Sequence, residues 1–196
     1  MTSGALERVI RRAGAQRAAA AEHCDLCSDP VRHEHRHVFD SERREVMCAC
    51  QACSLLFAQD AASRGHFRLL PQRRVRLPRV STKVIGAPVG LAFFVKGKDG
   101  DVLAHYPSPL GTTDWEVDQE AWQEVAEQRP ELATLQPEVE ALLVNTARDT
   151  YEHWIVPLDD CFRLVAVVRE HWRGLSGGDR VWEEIKRFFA ELEERR

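Results

Sequence analysis

Five of the six cysteines in this 196-residue chain fall between positions 24 and 53. They form two Cys-x-x-Cys pairs, Cys24 with Cys27 and Cys50 with Cys53, and a fifth thiol, Cys48, stands two residues before the second pair's partner position. The 22 residues between Cys27 and Cys50 are enough for the chain to turn back and bring the pairs together. Four thiolates so placed suit a tetrahedral structural ion, for zinc at Zn–S distances of about 2.3 Å. The intervening residues agree. His37-Val38-Phe39 and Glu45-Val46-Met47 read as two strands around the turn Asp40-Ser41-Glu42-Arg43, and Ser54-Leu55-Leu56-Phe57 reads as a first helical turn. Knuckle, hairpin and helix in that order describe a treble-clef or zinc-ribbon-like module. The expected ligands are Cys24, Cys27, Cys50 and Cys53. Cys48, His35 and His37 are alternates, because period-2 spacing puts Cys48 on the face of Cys50 and His35 on that of His37. Zinc is the expected metal. Iron, alone or as an iron–sulfur cluster, is the alternative, since the same thiolates can hold it.

Composition favours metal over disulfide. An apolar share of 44%, a charged share of 30% and a net charge of -4 are those of a soluble globular protein. No apolar run approaches the roughly 20 residues that span a bilayer, and the first 21 residues, with scattered arginines, lack the apolar centre of a signal peptide. The expected location is therefore the cytoplasm, where thiols stay reduced. Neither membrane nor nucleic acid is an expected partner.

Four stretches divide the chain. Residues 1–22 read as an N-terminal helix (3–21) or a disordered segment. Residues 23–65 hold the four-cysteine metal-binding module. Residues 66–83 carry Arg68, Arg73, Arg74, Arg76, Arg79 and Lys83 among Leu and Val, and read as a basic linker with short strands. Residues 84–196 read as a small mixed α+β domain: a hairpin from 89–95 and 102–106 closed by Tyr106-Pro107-Ser108-Pro109, a helix over 117–127, strands over 139–144 and 151–156, a helix over 159–172 capped by an Asp, and a last helix over 180–194.

Outside the cysteine module the chemistry is sparse. Cys161, behind Asp159 and Asp160, reads as a buried structural thiol, and no nucleophile–base order, paired-carboxylate site or dinucleotide fingerprint is present. The chain is not expected to be an enzyme. As a set, Cys24–Cys27 (CDLC), EHRHVFD at 34–40, CACQACSLLF at 48–57, PVGLAFF at 88–94, YPSP at 106–109, PEVEALLV at 137–144, HWRGLSGG and VWEEIKRFF resemble a bacterial family of unassigned activity. Its members tend to be encoded beside nickel–iron hydrogenase genes. The resemblance implies an accessory role and a hydrogenase component as protein partner. The expected function is thus a non-catalytic zinc-binding accessory or assembly protein acting through a protein partner, linked to hydrogenase maturation. The alternative is an iron–thiolate or iron–sulfur electron carrier for a redox enzyme.

Overall fold

The structure, a computed structural model, describes residues 22–58, 65–81, 85, 90–174 and 176–196. The helix expected over 3–21 lies outside the described residues. The chain divides into two compact units, one ending at Leu69 and one spanning Leu70–Arg196.

In the first unit, β1 (Arg36–Asp40) pairs antiparallel with β2 (Glu45–Ala49) on one side and β3 (Phe67–Leu69) on the other. Asp40 sets the hairpin turn: its buried Oδ1 accepts the N–H groups of Glu42 at 2.9 Å and Arg43 at 3.2 Å, the local hydrogen bonding for which Asp is favoured in turns. Helix α1 (Gln51–Leu56) follows β2 directly. Among the described residues, only Cys24, Val38, Phe39 and Ala49 form the buried apolar interior of this unit.

The second unit is built on a six-stranded antiparallel sheet in the order β4-β9-β8-β5-β6-β7, with β4 Val75–Arg76, β5 Leu91–Lys96, β6 Val102–Ser108, β7 Gly111–Glu116, β8 Glu140–Asn145 and β9 Glu152–Pro157. Register sorts the core. Val75, Ile155, Leu142, Phe94 and Ala104 form one cross-strand row, packed with Trp122 and Val125 of α2 (Gln119–Gln128) and Leu132 of a 3-10 turn, Pro130–Thr134. The alternate row is Arg76, Trp154, Leu143, Phe93 and His105. Within it Arg76 lies 5.7 Å over the Trp154 ring and His105 stacks on Phe93 at 4.8 Å. Helix α3 (Leu158–His171) packs on the sheet and on α4 (Gly178–Glu194), whose Val181, Ile185, Phe188, Phe189 and Leu192 are buried. The mixed α+β architecture read from the sequence is the one observed.

Three details differ from expectation. The hairpin does not stop at Tyr106: β6 continues through Pro107, which lies opposite Thr112, and β7 adds an edge strand. Proline is tolerated there because pairing with β5 ends at His105, which leaves that side of β6 as an edge. No Asp caps α3; Pro157 precedes it without a side-chain cap, and Asp160 is instead paired with Arg74, Nε to Oδ2 at 2.6 Å. The basic face expected over residues 66–83 also loses members. Arg73 binds buried Glu140, Arg74 binds buried Asp160, and Arg76 reaches Glu152 at 3.2 Å. These guanidiniums are partners within the unit, with Arg73 and Arg74 balancing buried carboxylates that the sheet and α3 carry inward.

Candidate metal centre

The first knuckle is a tight loop. A bridge pairs His23 with Pro30, the Cys24 N–H donates to Asp29 O at 2.8 Å, and the Ser28 N–H donates to Cys24 O at 2.8 Å. Ser28 takes a left-handed φ of 64° to close it. The loop is held to β2 on both sides of one residue. The Asp25 N–H donates to Cys48 O at 2.9 Å, and the Cys48 N–H donates to Asp25 Oδ2 at 2.6 Å. Cys50 is the N-cap of α1; its sulfur accepts the Cys53 N–H at 3.4 Å, and its carbonyl accepts the Ser54 N–H at 2.9 Å. Capping fixes the Cys50 sulfur at the helix start and places Cys53 one turn on, beside it.

The result is convergence. The sulfurs of Cys24, Cys27, Cys50 and Cys53 lie within 4.8 Å of one another, and Cys27 Sγ is 3.6 Å from Cys50 Sγ. A tetrahedron with metal–sulfur bonds of about 2.3 Å has sulfur–sulfur edges of about 3.8 Å. Disulfide sulfurs, by contrast, lie at about 2.05 Å, and all six cysteines are free. The donor set and spacing therefore fit a metal ion. Cys24 is buried, Cys50 and Cys53 are half-buried, and Cys27 is exposed.

Electrostatics show what four crowded thiols do without a cation. Burial opposes ionisation of Cys24, yet hydrogen bonds from the backbone of Cys50, Leu26 and Cys27 outweigh it and bring its pKa down to about 6. Desolvation is the largest single influence, but the three backbone donors and the Cys27 thiol together exceed it. The cost falls on its neighbours. The thiols of Cys27 and Cys50, then burial, push Cys53 up to about 12. The Asp29 backbone favours the Cys27 thiolate, but the Cys24 sulfur and burial prevail and its pKa is raised. One thiolate forms easily, and Cys27 and Cys53 hold their protons until a cation supplies the compensating charge.

The three alternates are not interleaved with these four. His35, His37 and Cys48 make a second group, also within 4.8 Å of one another. Burial, then the carboxylates of Asp25 and Glu22, push Cys48 up to about 11. Asp25 is a structural residue of the site that sequence reading passed over; its only signal is its place inside the first knuckle. Cys161 is fully buried in α3 and its pKa is raised well above the usual range by burial and then by Asp160 and Asp159, as suits an inert core thiol. No helix among the described residues is long and apolar enough to cross a membrane.

No curated protein and no solved structure matches the chain. One family profile does, described as a family of unknown function (DUF5947), over residues 23–196. With that match covering the cysteine knuckles and the α+β unit alike, the chain belongs to this family.

Proposed function

We propose that this protein is a non-catalytic zinc-binding accessory or assembly protein that works through a protein partner in the cytoplasm, and that its first unit is a treble-clef or zinc-ribbon-like module. The convergence of four cysteine sulfurs within 4.8 Å carries this reading. Four protein thiolates use all four tetrahedral positions, and such closed sites are structural because no place is left for substrate or activated water. The order of knuckle, β1–β2 hairpin and α1, with a ligand at the α1 N-cap, supports the treble-clef description. Zinc is favoured because it accepts tetrahedral thiolate coordination without redox chemistry.

A partner surface adjoins the centre. Leu55 and Leu56, two and three residues after Cys53 on α1, are 65% and 62% exposed. Rigid presentation of two leucines beside a metal-pinned helix suits docking, whereas Arg73 and Arg74 are engaged within their own unit. The resemblance noted in the sequence points to a nickel–iron hydrogenase component as the partner. The test is affinity capture of the tagged full chain from its native host at low salt, probed for hydrogenase subunits. Leu55→Asp with Leu56→Asp should lower capture by about tenfold, a loss of about 1.4 kcal/mol, and leave zinc content unchanged. Capture at background level, with normal hydrogenase assembly and activity in a deletion strain, would refute the reading.

A further inference from the structure

His35, His37 and Cys48 meet because the fold puts them together. His37 and Cys48 are direct partners in the β1–β2 register, so their side chains leave the same face of the hairpin. His35, two residues before His37, follows on that face. The two imidazole rings are 4.6 Å apart between centroids and tilted by 55°, and one ring nitrogen of each lies within 4.8 Å of the other and of the Cys48 sulfur.

His35 points to a ligand. Its side chain is 7% exposed. Its Nδ1 lies 2.9 Å from the Arg32 carbonyl oxygen, which can only accept, so Nδ1 carries the hydrogen. In the neutral ring Nε2 then holds a bare lone pair, and Nε2 is buried with no hydrogen-bond partner among the described residues. A metal-ligating histidine is arranged in this way: the far nitrogen donates to a carbonyl or carboxylate, which fixes the tautomer and leaves the near nitrogen for the ion. Glu22 Oε2, 3.7 Å from Nδ1, adds a carboxylate behind the ring. Cys48 is steadied in turn by Asp25, whose Oδ2 accepts its N–H at 2.6 Å.

We propose that His35, His37 and Cys48 form a second metal site, distinct from the four-cysteine centre, which binds one divalent transition-metal ion through His35 Nε2, a ring nitrogen of His37 and the Cys48 thiolate. Cys48 gives its proton to solvent as the sulfur–metal bond forms. Two imidazoles and a thiolate select ions of the zinc, cobalt, nickel and copper group over magnesium or calcium. Three protein ligands leave one tetrahedral position open, as they do in sites that bind water or an outside donor. His37 and Cys48 are only half-buried, so the site lies near the surface of the hairpin. With one protein ligand fewer, this ion is held more weakly than the first and exchanges.

The full chain, loaded with zinc at the four cysteines and freed of excess, is titrated with Co²⁺ and followed by absorbance and by zinc retained. The inference depends on the four-cysteine reading only for that first loading, which the retained zinc reports separately. The expected result is one further equivalent of Co²⁺ with a cobalt–thiolate charge-transfer band and no zinc displaced. Cys48→Ser should abolish the band. His35→Gln and His37→Gln should each weaken Co²⁺ binding at least about tenfold, the least that loss of even an outer-shell partner usually costs. All three variants should keep their zinc, which shows that the hairpin has folded. Absence of a second equivalent, or one that displaces zinc, lacks the thiolate band or ignores the three substitutions, would overturn the proposal. Loss of the first zinc in Cys48→Ser would overturn it as well, by placing Cys48 in the four-cysteine centre.

Discussion

Replacing Cys24 by Ser should release the metal and unfold the first unit, while the second unit keeps its sheet. The described part of the first unit buries four apolar residues, Cys24, Val38, Phe39 and Ala49, and one of them is itself a candidate ligand. So small an interior does not offset the entropy of ordering the chain. In modules of this kind the free energy of metal binding, about 10–16 kcal/mol for zinc near neutral pH, is the free energy of folding. The same collapse should follow from a strong chelator and from Cys27→Ser, Cys50→Ser or Cys53→Ser. Acid should reproduce it, with a sign fixed by the thiols. Cys53, near 12, and Cys27, also raised, are protonated at neutral pH when no metal is bound, so metal uptake expels at least these two protons. Affinity should then fall at least about a hundredfold per pH unit below neutrality. Amide exchange over residues 22–58, with and without chelator, measures the unfolding. Protection that survives both the substitution and the chelator would show a unit that folds without metal.

A second large effect is expected in the other unit. Arg73→Ala should destabilise the second unit by about 3–5 kcal/mol, because it strands a buried carboxylate. Glu140 is 0% exposed. Arg73 reaches it in two-pronged fashion, Nε to Oε1 at 2.6 Å and Nη2 to Oε2 at 2.7 Å, and Oε2 also accepts the Gln136 N–H at 2.9 Å. The Glu140 carboxylate, opposed by partial burial, raises the Arg73 pKa, so the guanidinium keeps its charge. The consequences of removing each partner differ. Arg73 is 38% exposed and can turn to water when Glu140 is lost, whereas Glu140 has no such escape. Glu140→Gln should therefore cost less than Arg73→Ala, and Glu140→Gln placed on Arg73→Ala should recover much of the loss, since a neutral amide can still accept from Gln136. Urea unfolding at saturating metal, with midpoints shifted at constant slope, is the measurement. A cost under about 1 kcal/mol for Arg73→Ala would place the pair among weak, water-screened bridges.

These two sites differ in how much of them could be read in advance. The cysteine pairs announce themselves because ligand spacing is local: Cys-x-x-Cys needs only a turn, and the residues between the pairs spell out strand, turn and helix. The strands β5, β8 and β9 and the helices α3 and α4 were legible for a similar reason, as each buries a continuous run or a periodic face. β7 was not. Its sequence Gly-Thr-Thr-Asp-Trp-Glu is exposed along nearly its whole length, so no apolar alternation marks it. The roles of Arg73 and Arg74 were hidden too, because their partners lie 67 and 86 residues away and only the closed sheet brings them near. Register likewise brings the three alternates together. Sequence placed Cys48, His35 and His37 near the first site, but the pairing of His37 with Cys48 sets them together as a group of their own.

The central claim is that Cys24, Cys27, Cys50 and Cys53 hold a structural zinc ion. Elemental analysis and a visible spectrum of the anaerobically purified, exhaustively dialysed chain test it most directly. The expected result is a colourless protein retaining about one zinc per chain, with that zinc absent from the Cys24→Ser variant. Stoichiometric iron with visible thiolate–iron absorption, or a folded chain that retains no metal, would contradict it.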